Sequence, residues 1–263
     1  MVSWNVQGLG WKETRDHLKD IARLHDPDIS FLVETKCAES KEKVITQFLQ
    51  YPNSHFVSSI GMSGGLAVLW KDGFPCDIIC SKDNMVHIII TTDASKQECL
   101  LSYVYGSTQW ELKKQQWEFL EDLSENIFQS WIVLGDLNVH VSKEDASTSL
   151  ASLDNWICQI INNAGLMDLG FTGSKHTWTN KTNEKGHKRA RIDLDLLNSN
   201  WIRDYPDSRL LHLPFLGSDH CPLLLLTESK SVKHRNVWKF RDVGLWIKML
   251  WVLLLVRGTN LLI

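Results

Sequence analysis

The chain has 263 residues, 43% of them hydrophobic and 22% charged, with only 15 Gly and 6 Pro, which excludes a disordered or collagen-like protein and supplies a sizeable core. Its formal net charge of −3 gives no sign of a polyanionic partner, but residues 1–150 hold 13 Lys/Arg against 21 Asp/Glu while residues 151–263 hold 15 against 10. That asymmetry is a hint of a polyanion on one face.

The opening strand carries Trp4-Asn5, and apolar spacing at Leu18, Ile21 and Ala22 predicts a helix after it. Ile29–Val33 is a strand-length run, as are Gly65–Trp70, Val86–Ile90 and Leu100–Tyr105. Met62-Ser63-Gly64-Gly65 and Lys71-Asp72-Gly73 are turn signals on either side of the second run. Leu112, Leu120, Leu123 and Ile127 predict another helix, and Trp131–Leu134 another strand. A third helix is expected through Leu150, Leu153, Trp156, Ile157, Ile160, Ile161 and Ala164, and a last strand at Cys221–Thr227. Many strands and few helices favour packed sheets with helices outside.

Six cysteines, at 37, 76, 80, 99, 158 and 221, form no CxxC pair, so neither a zinc site nor a disulfide framework is expected, and free thiols of an intracellular protein are. Met1-Val2-Ser3-Trp4-Asn5 has no signal-peptide pattern. Leu245–Val256 is mostly apolar but interrupted by Lys248, and it falls short of the roughly 20 residues that cross a bilayer.

The residues that carry chemistry gather at strand ends. Trp131–Leu134 runs into Gly135-Asp136-Leu137-Asn138, and period-two alternation puts Asp136 and Asn138 on one side. A carboxylate beside an amide suits a phosphoryl site, one holding a metal or water and the other donating to a phosphate oxygen; the same tetrapeptide also ends a strand in a turn. Gly217-Ser218-Asp219-His220-Cys221-Pro222 offers a metal-ligating carboxylate and a general base, or equally a capped turn. In Arg191–Leu197 the acids Asp193 and Asp195 alternate with apolar residues, a pattern that usually faces solvent. Lys175, Lys181, Lys185, Lys188, Arg189 and Arg191 accompany a single acid, Glu184, either as a solvated loop or as a phosphate-binding segment.

Taken in order, Ser3–Leu9, Phe31–Lys36, Ser63–Trp70, Tyr105-Gly106, Gly135–Asn138, Arg191–Asp193 and Ser218–Pro222 resemble the endonuclease/exonuclease/phosphatase superfamily. Gly165–Gly173 and Thr177–Asn180 are similar to the apurinic-type endonuclease domain of plant LINE-type (non-LTR) retrotransposons. The resemblance covers about residues 2–227.

It implies a four-layered α/β sandwich, two packed mixed sheets flanked by helices, with the site where the strand ends converge. It also implies phosphodiester cleavage with Mg²⁺, or Mn²⁺ in its place, with DNA as the partner, no membrane, no obligate protein partner and a nuclear location. Glu34 matches the principal metal ligand, and Asn5, Asp136, Asn138, Asp219 and His220 complete the metal and phosphate shell. Asp136 would orient or deprotonate the attacking water, and Asn138 and Tyr105 would donate to phosphate oxygens. His220, paired to Asp193, would stabilise charge or act as base. Lys181, Lys185, Lys188, Arg189 and Arg191 would reach DNA phosphates. Acids at 34, 136, 193 and 219 would repel an anionic substrate without a cation, and oxygen ligands favour a hard ion over zinc.

Three departures stand out. Gln7 takes a position where apurinic endonucleases often have Asp, His176 takes that of an aromatic, and the pattern is lost from about Val237. Residues 1–228 are therefore expected to form the domain and 229–263 a truncated or frameshifted tail. The alternatives are a phosphomonoesterase or RNA nuclease of the same superfamily, or a catalytically silent relic. Against the inositol polyphosphate phosphatases, Val139-His140 follows Gly-Asp-x-Asn here where they have Tyr-Arg.

Overall fold

A computed structural model describes residues 1–37, 42–59, 64–82, 84–91, 97–147, 154–180 and 187–228. The tail at 229–263, Lys181 and Lys185, the turn residues Met62 and Ser63, and Leu150 and Leu153 of the third expected helix lie outside these residues. The first half of the fold comprises β1 (Val2–Asn5), α1 (Lys12–His25), β2 (Ile29–Val33), α2 (Glu42–Leu49), β3 (Asn53–Val57), β4 (Leu66–Trp70), β5 (Cys76–Lys82), β6 (Met85–Ile90) and β7 (Cys99–Val104). Then come α3 (Trp110–Ser124), β8 (Trp131–Asp136), α4 (Asn155–Asn163), β9 (Leu166–Asp168), β10 (Thr172–Gly173), β11 (Trp178–Thr179) and β12 (Arg189–Ala190). The last elements are β13 (Asp193–Asn198), α5 (Ser199–Asp204), β14 (Arg209–His212) and β15 (Leu223–Leu226).

Two mixed sheets result, in strand order β10-β14-β15-β1-β2-β4-β3 and β5-β6-β7-β8-β13-β9, beside a β11–β12 ribbon. In the first, β1 runs parallel to β2 and antiparallel to β15; in the second, β7 runs parallel to β8 and β8 antiparallel to β13. Period-two alternation divides the side chains between faces. Ile29, Phe31, Val33, Leu66 and Val68 from one sheet meet Val86, Ile88, Leu101, Tyr103, Ile132 and Leu134 from the other. The Phe31 and Tyr103 rings stack across this interface with centroids 4.4 Å apart. On the outer faces, Trp4, Leu32, Ala67 and Leu69 pack with Leu18 and Ile21 of α1 and Ile45 and Leu49 of α2, while Trp131, Val133, Leu194 and Leu196 pack with Trp117 and Leu120 of α3 and Ile157, Ile160 and Ile161 of α4. The architecture is the expected four-layered sandwich.

Alternation has one consequence the sequence pattern misdirects. Asn5, Asp136, Asp193 and Asp195 fall on the inward faces of their strands, with the residues that bind the two sheets together. Asp193 and Asp195 are therefore buried, not solvent-facing. The turn Lys71-Asp72-Gly73 links strands of different sheets, β4 to β5, instead of closing a hairpin. Among the described residues no cysteine is joined in a disulfide, and no helix is long and apolar enough to cross a membrane.

Candidate active site

At one edge of the inter-sheet space β1 delivers Asn5, β8 delivers Asp136 and β13 delivers Asp193, which pairs directly opposite Asp136. Backbone crossings fix this edge. A Cβ at Gly135 would lie 2.2 Å from the Val104 carbonyl oxygen, at a φ of 135°, so only glycine lets β8 run this close to β7. Gly106, whose N–H donates to the Asp136 carbonyl at 2.7 Å, sets Tyr105 beside the same edge. Glu34 and Asn138 both stand in the left-handed region at φ 52°, each just past its strand. Holding a non-glycine residue there costs of order 1 kcal/mol and persists where the surroundings dictate it. Asn138 is thus aimed by a turn, and the expected strand alternation with Asp136 does not extend to it.

Asn5 ties the cluster together. Its Nδ2 donates to Glu34 Oε1 at 3.0 Å and to Asp136 Oδ2 at 2.9 Å, while its Oδ1 accepts from the Gln7 N–H at 3.2 Å. Tyr105 donates its hydroxyl to Glu34 Oε1 at 2.8 Å, and the Lys36 ammonium lies 3.3 Å from Glu34 Oε2. His220 donates from Nδ1 to Asp193 Oδ2 at 2.9 Å, leaving Nε2 3.8 Å from Asp136 Oδ2. The Ser218 hydroxyl donates to the Asn5 carbonyl at 2.8 Å and accepts the His220 N–H at 3.1 Å, and Trp4 Nε1 donates to the His220 carbonyl at 3.0 Å. The β11–β12 ribbon joins through Trp178, whose Nε1 donates to Asp219 Oδ2 at 3.2 Å, and through Thr177, whose hydroxyl accepts the Asp193 N–H at 3.1 Å.

Burial and charge set the protonation chemistry. Burial raises the Asp136 pKa and neighbouring Asp193 adds to this, outweighing the His220 charge and the Asn5 hydrogen bond. Burial would lower His220, yet the charges of Asp193 and Asp136 hold it well above the usual histidine range. Burial also pushes Glu34 up, but hydrogen bonds from Asn5 and Tyr105 and the Lys36 ammonium reverse that, leaving it below the ordinary carboxylate value. Burial and the adjacent Glu34 keep the Tyr105 phenol protonated. The result is a carboxylate made more basic beside an imidazole held as a proton donor.

Asp136 Oδ1 is buried and has no hydrogen-bond partner. It belongs to a donor set dominated by carboxylate oxygens, from Glu34, Asp136 and Asp219, whose summed negative charge a divalent ion would offset; these residues fit a hard cation. Asp136, Asp193 and His220 each bring a ligand atom within 4.8 Å of the others. Two of those three, Asp193 and His220, are already joined as a hydrogen-bonded pair, while Glu34 is tied to Asp136 through the Asn5 amide.

The structure therefore brings together Asn5, Glu34, Tyr105, Asp136, Asp193, Asp219 and His220. In this structure the Asn5 amide nitrogen faces the carboxylates and its carbonyl is turned to Gln7, not to the position its expected role as an oxygen ligand would require. Asn138 sits beside them, with Nδ2 donating to the Gly106 carbonyl at 2.8 Å. Tyr105 spends its proton on Glu34 here, not on an open position. Arg191 leaves the set of phosphate contacts. It is 4% exposed, with Nη2 2.5 Å from Asp168 and Nη1 3.3 Å from Asp145, and its guanidinium lies 4.8 Å from the Phe171 ring centroid. Lys188 and Arg189 are exposed. The supporting hydrogen bonds and charge of Lys36, Thr177 and Ser218 were not foreseen; Lys36 and Ser218 sit within two residues of an acid of the site, whereas Thr177 and Trp178 reach it from a segment with no acid nearby in sequence.

The sequence pattern of the endonuclease/exonuclease/phosphatase family matches residues 2–220 of the chain. The chain is 27% identical over 255 residues to the DNA repair nuclease APEX1 of Danio rerio, covering 86% of this chain and 81% of that protein. Its fold is similar to that of an AP endonuclease from Archaeoglobus fulgidus, with a TM-score of 0.67, 17% identity, and coverage of 87% of this chain and 98% of the other. It is likewise similar to the endonuclease domain of TRAS1, a telomere-specific non-LTR retrotransposon, with a TM-score of 0.63, 14% identity and the same coverage.

Proposed function

The chain belongs to the endonuclease/exonuclease/phosphatase family, and from that premise we propose that it is a Mg²⁺-dependent endonuclease that nicks DNA. Hydrolysis of phosphate esters is the family's chemistry. The observation that carries the finer reading is the buried edge at which Asp136, with one unpartnered oxygen, faces the Asp193–His220 pair across 3.8 Å. Phosphodiester attack needs a base for water, donors for the developing negative charge and a cation.

Asp136 orients the water and takes its proton as the water oxygen bonds to phosphorus; the P–O ester bond breaks and the departing sugar oxygen takes a proton from solvent. Asp193 fixes the Nδ1–H of His220, so Nε2 is the nitrogen that presents a proton to a phosphate oxygen. The second amide N–H of Asn138 and, once released from Glu34, the Tyr105 hydroxyl donate to the same phosphate. Glu34, Asp136 and Asp219 would hold Mg²⁺ or Mn²⁺, which supplies Lewis-acid neutralisation of the phosphate charge. Derivation from a LINE-type element is supported by the stretches Gly165–Gly173 and Thr177–Asn180. An intracellular, nuclear location is part of the same reading and is supported by the similarity to a DNA repair nuclease.

Nicking of supercoiled plasmid in the presence of Mg²⁺ tests this reading. Asp136→Ala and His220→Ala are each expected to lower the rate at least a thousandfold. Undiminished nicking by either variant overturns the assignment, and release of inorganic phosphate without nicking replaces it by a phosphomonoesterase.

A further inference from the structure

Beside the site lies a groove of about 600 Å³ lined by Gln7, Trp11, Glu13, Lys36, Asn180, Leu216, Gly217 and Asp219. Lys36 and Asp219 belong to both, so the groove adjoins the site directly. Two of its lining side chains are large and apolar yet turned to solvent, Trp11 at 68% and Leu216 at 50% exposure. The Trp11 indole and the Leu216 side chain thus line the groove as open apolar surface, and both segments are held in place. Leu9 donates its N–H to the Thr35 carbonyl at 3.0 Å, and Arg15 Nη1 grips the Leu9 and Gly10 carbonyls at 2.9 and 2.8 Å. On the other segment, Thr14 donates to the Gly217 carbonyl at 2.8 Å, and a Cβ at Gly217 would lie 2.9 Å from the Thr14 backbone. The two segments that carry Trp11 and Leu216 are thus docked on each other, and the groove is formed in advance of any ligand.

Charge decides what fits. Glu13 repels a second phosphate, Asp219 is reserved for the cation, and Lys36 is already engaged by Glu34 Oε2 at 3.3 Å and Gln7 Oε1 at 2.9 Å. What remains suitable is a flat, uncharged, polarisable ring with polar edges. Resting on the phosphodiesterase reading of the same site, we propose that this groove binds a nucleobase of the substrate strand, stacked on Trp11, next to the cleaved bond. A base held there has left the duplex stack, so the substrate is a nucleotide that is unpaired or extruded.

The test uses oligonucleotides in which a single base beside the cleaved bond is replaced by an abasic tetrahydrofuran, one position at a time. Trp11→Ala is expected to raise KM about tenfold on the fully based strand, with kcat little changed and Trp11→Phe close to the parent chain. At one position, removal of the base abolishes the difference between the parent chain and Trp11→Ala. A Trp11→Ala effect that is equal on based and base-free substrates at every position overturns the inference, as does no effect at all. Fluorescence anisotropy with the Asp136→Asn chain and the same oligonucleotides repeats the comparison without cleavage. Base-dependent binding through Trp11, together with a parent chain that cleaves no DNA in the presence of Mg²⁺, would leave the inference standing and sink the nuclease reading. Cleavage without base dependence does the reverse.

Discussion

Asp193 and Asp195 are separated by one residue, lie on the same face of β13 and are 2% and 1% exposed, yet they occupy two different regions of the inter-sheet space. At the edge, Asp193 receives His220 Nδ1 and the backbone N–H of its own residue is held by Thr177. In the interior, neither carboxylate oxygen of Asp195 has a hydrogen-bond partner, and burial with nearby Asp168 raises its pKa to about 7. Burial alone therefore does not mark a functional acid in this fold. A buried carboxylate that has acquired a cationic partner is poised for chemistry, whereas the one lacking a partner is a charge the fold tolerates at a cost.

The sharpest way to break that distinction is to neutralise both acids with the same change. Asp193→Asn should lower the nicking rate by about 10²- to 10⁴-fold, because the amide no longer holds His220 as a proton donor in the right tautomer. Asp195→Asn should leave the rate at the parental level. Equal losses in the two variants, measured by plasmid nicking, would show that the interior acid also serves the reaction. The next largest effect belongs to Arg191, the interior's own cation. Arg191→Leu takes the cation from buried Asp145, which keeps the Val141 and Ser142 N–H bonds, and from Asp168 at the surface, and should cost about 3 kcal/mol in urea unfolding.

Asp195 also carries a pH signature. Its folded pKa lies above the unfolded one, so the folded chain holds the proton more tightly. The fold then loses stability as pH rises from about 4 to about 7. Asp195→Asn removes that loss and should raise the unfolding free energy by about 2–4 kcal/mol at pH 8 and by almost nothing at pH 4. A gain of the same size at both pH values would assign it to packing and erase the contrast with Asp193.

The same contrast explains which parts were readable in advance. Strands buried on both faces, such as Ile29–Val33 and Trp131–Leu134, announce themselves as apolar runs. β3, β5 and β14 do not: β3 and β5 are edge strands and β14 lies next to the edge, and their exposed residues, Asp77 and Lys82 of β5 among them, break the run. At the site, each acid and His220 lies in a short local pattern, so its identity was legible. What Asn5 does was not, because the choice between its oxygen and nitrogen is made by Gln7, Glu34 and Asp136 from three different segments. Arg191 misled for a similar reason. Read along the chain it belongs to a basic run, while in space it faces two acids 23 and 46 residues away.

That segment gives the last and smallest test, since its basic residues divide as the acids do, one turned into the protein and others left outside. Lys188 and Arg189 are exposed on the β11–β12 side, next to the ribbon that carries Trp178 to Asp219. Exposed cations contribute little to folding, so Lys188→Ala should change stability by less than about 0.5 kcal/mol. If Lys188 contacts a DNA phosphate, one fewer counterion is released on binding, and the slope of log affinity against log salt should become shallower by about 1. Arg191→Leu at a temperature where it stays folded should leave that slope unchanged, because its charge is spent on Asp168 and Asp145. Anisotropy titrations at several salt concentrations measure both slopes. An unchanged slope in Lys188→Ala, or a shallower one in Arg191→Leu, would reverse which face of this segment meets the polyanion.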